Sequence, residues 1–145
     1  MLRAQGDLSG ALSAYRQSLA VSERLAAADP SNAGWQRDLS VSHNKIGDVL
    51  RAQGDLSGAL AAYRQSLAVS ERLAAADPSN AGWQRDLWVS YWRMADMLER
   101  SGEKEAIDWW RRAYAVLSSM KQRGLFISPG DEKFLDIIRR KCGGI

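Results

Sequence analysis

The chain has 145 residues, 46% hydrophobic and 26% charged, with a formal net charge of +3, the balance of a globular domain long enough to bury a core. One cysteine, Cys142, and one histidine, His43, exclude an internal disulfide and cannot complete a zinc site alone. No apolar run approaches the roughly 18 residues of a membrane span and no signal-peptide layout opens the chain, so the expectation is a cytoplasmic protein with no membrane contact and no cofactor.

Residues 1–97 balance ten basic against ten acidic side chains, and the excess falls in the last third, in places such as Arg139, Arg140 and Lys141. Cations there suit a helix C-terminus. Nucleic-acid binding calls for a basic stripe repeated along the chain, and none is present.

Residues 2–49 recur as residues 50–97 with 40 of 48 positions identical. A fixed period of this kind means units that must stack on neighbours to bury an apolar face. In chain order, the first element is a helix carrying Leu8, Ala11, Leu12, Tyr15 and Leu19 on one stripe. Met1 aligns with Val49 and Met97, which places the first residues in the last turns of a preceding helix and leaves this stripe without an antiparallel partner. An uncovered stripe of that length predicts association, and near-identical repeats suit a homodimer formed by exchange of helices; the alternative expectation is a fragment of a longer array in which the real preceding helix covers the stripe.

After "ADPSNAG" a second pattern runs through Leu39, Ile46, Val49 and Leu50 to the turn "QGD" at Gln53–Asp55. A third runs through Leu56, Ala59, Leu60, Tyr63, Leu67 and Leu73 to Asp77–Pro78. No alternating β pattern occurs, so the fold class is all-α, an array of antiparallel helix pairs.

The next unit, residues 79–123, diverges. Seven of the eight differences between the copies lie within residues 88–97, where Trp88, Tyr91, Trp92, Met94 and Ala95 replace Ser40, His43, Asn44, Ile46 and Gly47. "GEKEAIDWWRRA" aligns with "GDLSGALAAYRQS" once one residue is dropped, setting Ala106 opposite Ala59 and Trp110 opposite Tyr63. A last helix over residues 128–142 has Ser128 as N-cap, Pro129 in its first turn and Asp131 and Glu132 beside the positive helix end. Its polar back predicts a cap that stops the stacking.

These residues resemble the tetratricopeptide repeats. His43, Ile46, Gly47 and Leu50 match the family's first helix, Ala59 and Tyr63 its second, and Pro78 its closing proline. Ala11, Tyr15 and Pro30 repeat the second half upstream, and Tyr91, Met94, Ala95, Leu98, Ala106 and Trp110 repeat the pattern downstream. The 48-residue period exceeds the family's 34 by about two helical turns per helix, as in the extended units of kinesin light chains and bacterial signalling arrays.

The resemblance implies a right-handed superhelix of about five long helices plus a cap, and a concave groove holding a peptide or helix of a partner protein. Groove positions by that resemblance are Val41, Asn44, Asp48 and Arg51 in one unit. Trp88, Val89, Trp92, Asp96 and Glu99 continue it in the next. Asp48 and Asp96 would repel a C-terminal carboxylate, so a basic or apolar partner is expected. Trp88 and Trp92 share one helical face and suit either burial under Phe134, Ile137 or Ile138 of the cap or an aromatic binding patch. No nucleophile, phosphate loop or metal cluster is evident, and no enzyme activity is expected. The two functional expectations are a groove-type scaffold and self-assembly through the N-terminal stripe.

Overall fold

A computed structural model of the chain describes residues 2–143. Among them are six helices: α1 (Leu2–Ala28), α2 (Ala33–Ala52), α3 (Leu56–Ala76), α4 (Ala81–Arg100), α5 (Ala106–Gln122) and α6 (Pro129–Lys141). No strand occurs among the described residues. The chain forms two compact units, Met1–Val69 and Ser70–Ile145.

The helix boundaries follow from side-chain caps and glycines. Asn32 and Asn80 each accept a hydrogen bond from the backbone N–H three residues on, at Trp35 and Trp83, both at 3.0 Å, which satisfies one of the donors a helix start leaves open. Ser128 caps α6 in the same way through Asp131 N–H at 3.1 Å, with Pro129 in the first turn. At the other ends, Gly54 and Gly102 adopt φ of +85° and +76°. Those conformations let Asp55 and Glu103 N–H reach back to the carbonyls of Leu50 and Leu98, each at 2.9 Å, the six-to-one bond of a glycine-closed helix.

In the first unit, α1 packs on α2, and α2 packs on the first part of α3. The Tyr63 ring lies over Gly47, where an added Cβ would meet ring carbon Cε1 at 2.5 Å. Its hydroxyl donates to Asp48 Oδ1 at 2.6 Å, and the buried Ser40 and Ser66 hydroxyls pair at 2.8 Å. In the second unit, α4 packs on α5 and α5 on α6. Its core holds Trp88, Ala95, Trp110, Ala113, Leu117, Met120, Ile138 and Cys142.

One stretch departs from the sequence reading. Residues 2–12 and 50–60 are the same eleven residues, LRAQGDLSGAL. At 50–60 they form the end of α2, a turn and the start of α3, whereas at 2–12 they form one continuous helix. The first described residues are therefore part of α1, not the tail of a separate helix; Met1 itself lies outside the described residues. The turn at Gly54 is held by the packing of α2 on α3, and where no packed helix pair demands it, the local preference for helix prevails.

The same substitution at the two glycines is therefore expected to have opposite signs. Gly6→Ala, within a helix and with open space around its Cβ position, stabilises by about 0.5–1 kcal/mol. Gly54→Ala destabilises by about 1 kcal/mol or more because of its positive φ. Urea unfolding of the two variants checks this; shifts of the same sign would contradict it. Gly47→Ala, which drives a methyl group into the Tyr63 ring, costs about 1–3 kcal/mol in the same assay.

Candidate functional site

Two places could carry function: a cleft on the first unit and the aromatic cluster of the second. The cleft, 460 Å³, lies between α1 and α2. Tyr15, Ser18 and Ser22 line it from α1, and Asp38, Val41 and Lys45 from α2. Tyr15, Ser18 and Ser22 fall on one side because three, four and seven residues bring a helix back to the same face. Lys45 Nζ stands 5.6 Å from the centroid of the Tyr15 ring, a cation held at the mouth by the ring's electron-rich face.

Identical sequence gives the cleft its meaning. Residues 8–28 of α1 and 56–76 of α3 differ only at Ser13 and Ala61. In α3, Tyr63 is 1% exposed and Ser66 0%; in α1, Tyr15 is half-buried and Ser18 exposed. Such a difference comes from neighbours alone.

Of the residues assigned to self-association, Leu12 is buried and Leu8, Ala11, Tyr15 and Leu19 are half-buried. The stripe is thus less open than the sequence implies, since α2 folds back on α1. Among the described side chains of α1, the large apolar ones that stand exposed are Val21 at 46% and Leu25 at 39%, while Val69, the copy of Val21, is 4% exposed. Sequence reasoning missed Val21, Ser18, Ser22 and Lys45. Serines four apart on an otherwise apolar stripe were the available signal.

Of the groove residues on α2, Val41 lines the cleft. Asn44 Oδ1 is buried with no hydrogen-bond partner among the described residues, and Asn44 does not line the cleft. Asp48 is engaged by Tyr63, and Arg51 sits half-buried near the helix end. His43 is half-buried too; burial pushes its imidazole below the ordinary range, partly offset by Glu23.

In the second unit Trp88 and Trp92 pack against Phe134 of α6. Trp88 is 2% exposed: its ring packs on Phe134 at 5.8 Å between centroids and on Trp92 at 6.4 Å. Trp92 lies between Phe134 at 4.7 Å and Trp110 at 5.2 Å, edge to face with both, the orientation that ring quadrupoles favour. Asp96 is tied to Arg100 at 3.1 Å and Glu99 to Lys141 of α6 at 2.9 Å, while Val89 is half-buried.

The start of α6 is fixed by Asp131. Its carboxylate is 9% exposed and accepts from Arg85 Nε at 2.5 Å and Nη2 at 3.2 Å, a two-point pairing that offsets the cost of burying the charge. Hydrogen bonding to that carboxylate holds the Arg85 guanidinium above its ordinary range. Burial likewise raises the Cys142 thiol, which keeps it protonated and unreactive.

A family model described as tetratricopeptide repeat matches residues 1–30 and 42–78. No curated protein matches the chain. No helix among the described residues is long and apolar enough to cross a membrane.

Phe134→Ala opens the space between Trp88 and Trp92 and is expected to cost about 3–5 kcal/mol, with tryptophan emission moving to longer wavelength; unchanged emission and unfolding would contradict the packing. A pH effect also follows. The folded-state pKa of His43 lies below its unfolded value of about 6.5, so the unfolded chain binds more protons in acid. Its contribution is fully present above the ordinary imidazole range and is lost as pH falls through it. His43→Tyr, the residue at the matching place in the second copy, is expected to flatten stability between pH 7 and 5 in thermal melts; a retained slope would assign it elsewhere.

Proposed function

We propose that this chain, a member of the tetratricopeptide repeat family by the match over residues 1–30 and 42–78, is a non-catalytic scaffold that binds another protein in the α1–α2 cleft. Repeats of this family generally mediate protein–protein interaction. The observation that carries the reading is the cleft itself, lined by Tyr15, Ser18, Ser22, Val41 and Lys45; the copies of Tyr15 and Ser18, which are Tyr63 and Ser66, are fully buried.

Val41 of α2 forms the near wall of the groove. Among Val89, Asp96 and Glu99 of the matching stretch, the two carboxylates already have cations. Partners are recognised through the first unit.

Self-assembly is the second reading, favoured by Val21 and Leu25, the exposed apolar pair on α1. A solution mass near twice the 16.1 kDa chain that Val21→Glu halves would support it, and a monomer at every concentration would remove it.

Selection from a displayed peptide library tests the scaffold reading. Binders are expected that compete with one another and lose at least tenfold in affinity to Lys45→Glu and Val41→Arg chains of unchanged helicity. Selected binders indifferent to both variants, or none at all, would refute a binding cleft between α1 and α2.

A further inference from the structure

We propose that the occupant of the α1–α2 cleft is a helix from another protein that carries the docking face of α2: a hydroxyl side chain, a glycine seven positions later and an aspartate beside it. The inference rests on the scaffold reading above and names the partner's chemistry.

The argument uses the repeat as an internal control. Tyr63 and Ser66 of α3 need three things from α2. Gly47 lets the Tyr63 ring lie flat on the backbone, since any Cβ there would fall within 2.5 Å of it. Asp48 takes the Tyr63 hydroxyl at 2.6 Å. Ser40 pairs with Ser66 at 2.8 Å. These three lie on one side of α2, because seven residues are nearly two turns.

Tyr15 and Ser18 of α1 are the same two side chains at the same spacing in the same sequence, and both face an open cleft. A helix with the same three features would meet them in the same way. Charge adds to the fit: Lys45 over the Tyr15 ring places a cation near the point where the partner's aspartate would take the Tyr15 hydroxyl, and a charged acceptor strengthens that bond.

A second copy of this chain is a poor source of the helix. Its own α2 already spends Ser40, Gly47 and Asp48 on α3. The matching positions of α4 are Trp88, Ala95 and Asp96, and Trp88 is buried under Phe134. Withdrawing α2 from α3 to serve another chain would uncover one face for each face covered.

The test uses a synthetic peptide of residues 31–52, held helical by a hydrocarbon staple opposite Gly47, and the full chain, with anisotropy as the readout. Binding of one peptide per chain is expected. Gly47→Leu and Asp48→Lys in the peptide, and Ser18→Lys or Tyr15→Ala in the chain, are each expected to weaken it at least tenfold. A peptide of residues 79–100 should bind at least tenfold more weakly. No binding, or binding insensitive to Asp48→Lys and Ser18→Lys, overturns the proposal. Should library-selected peptides occupy the cleft while the 31–52 peptide does not bind, the cleft reading stands and the helix inference falls; failure of every peptide removes both.

Discussion

Every helix here has a face that only a neighbour can complete, and the contact of Tyr63 with Gly47 is where that dependence is tightest. A ring that lies on a glycine backbone and sends its hydroxyl to the next residue's carboxylate fixes the rotation of one helix and the height of the other at once. The Ser40–Ser66 pair adds a second point, and two points set the register between α2 and α3. The second unit meets the same need by other means: Ala95 and Trp110 occupy the matching slots, and the space beside them is filled with tryptophan and phenylalanine rather than hydroxyl pairs.

Much of this was legible in the sequence. The period, the cap at Ser128 and the turn at Gln53–Asp55 follow from local chemistry, and local chemistry is written in order along the chain. The substitution of Trp88 and Trp92 for Ser40 and Asn44 suited either burial under a cap or an aromatic patch, and in the structure both rings pack on Phe134 of α6. What sequence could not separate was α1 from α3. Tyr15 and Tyr63, Ser18 and Ser66, Val21 and Val69 stand in identical surroundings along the chain and in different ones across space. Residues 2–12 and 50–60 make the same point for the backbone, since one sequence becomes a helix or a turn according to whether a packed pair asks for Gly54 in the left-handed region.

That separation underlies the binding site proposed above: Tyr15 and Ser18 line the cleft, whereas their copies Tyr63 and Ser66 are buried. The aromatic cluster, which sequence alone left open as a binding patch or a packed core, is finished: Phe134 fills it, and the Arg85–Asp131 pair and the Lys141–Glu99 pair hold α6 at its two ends.

The most direct measurement is native-state hydrogen exchange by nuclear magnetic resonance, comparing each amide of residues 8–28 with its copy in residues 56–76. Local sequence is matched, so intrinsic exchange rates are matched, and any difference reports the neighbours. The account predicts slow exchange near the global unfolding limit for Tyr63, Ser66 and Val69 and clearly faster exchange for Tyr15, Ser18 and Val21. Equal protection of the two helices would contradict it, because α1 would then be as well covered as α3 and the cleft would have nothing left to recognise.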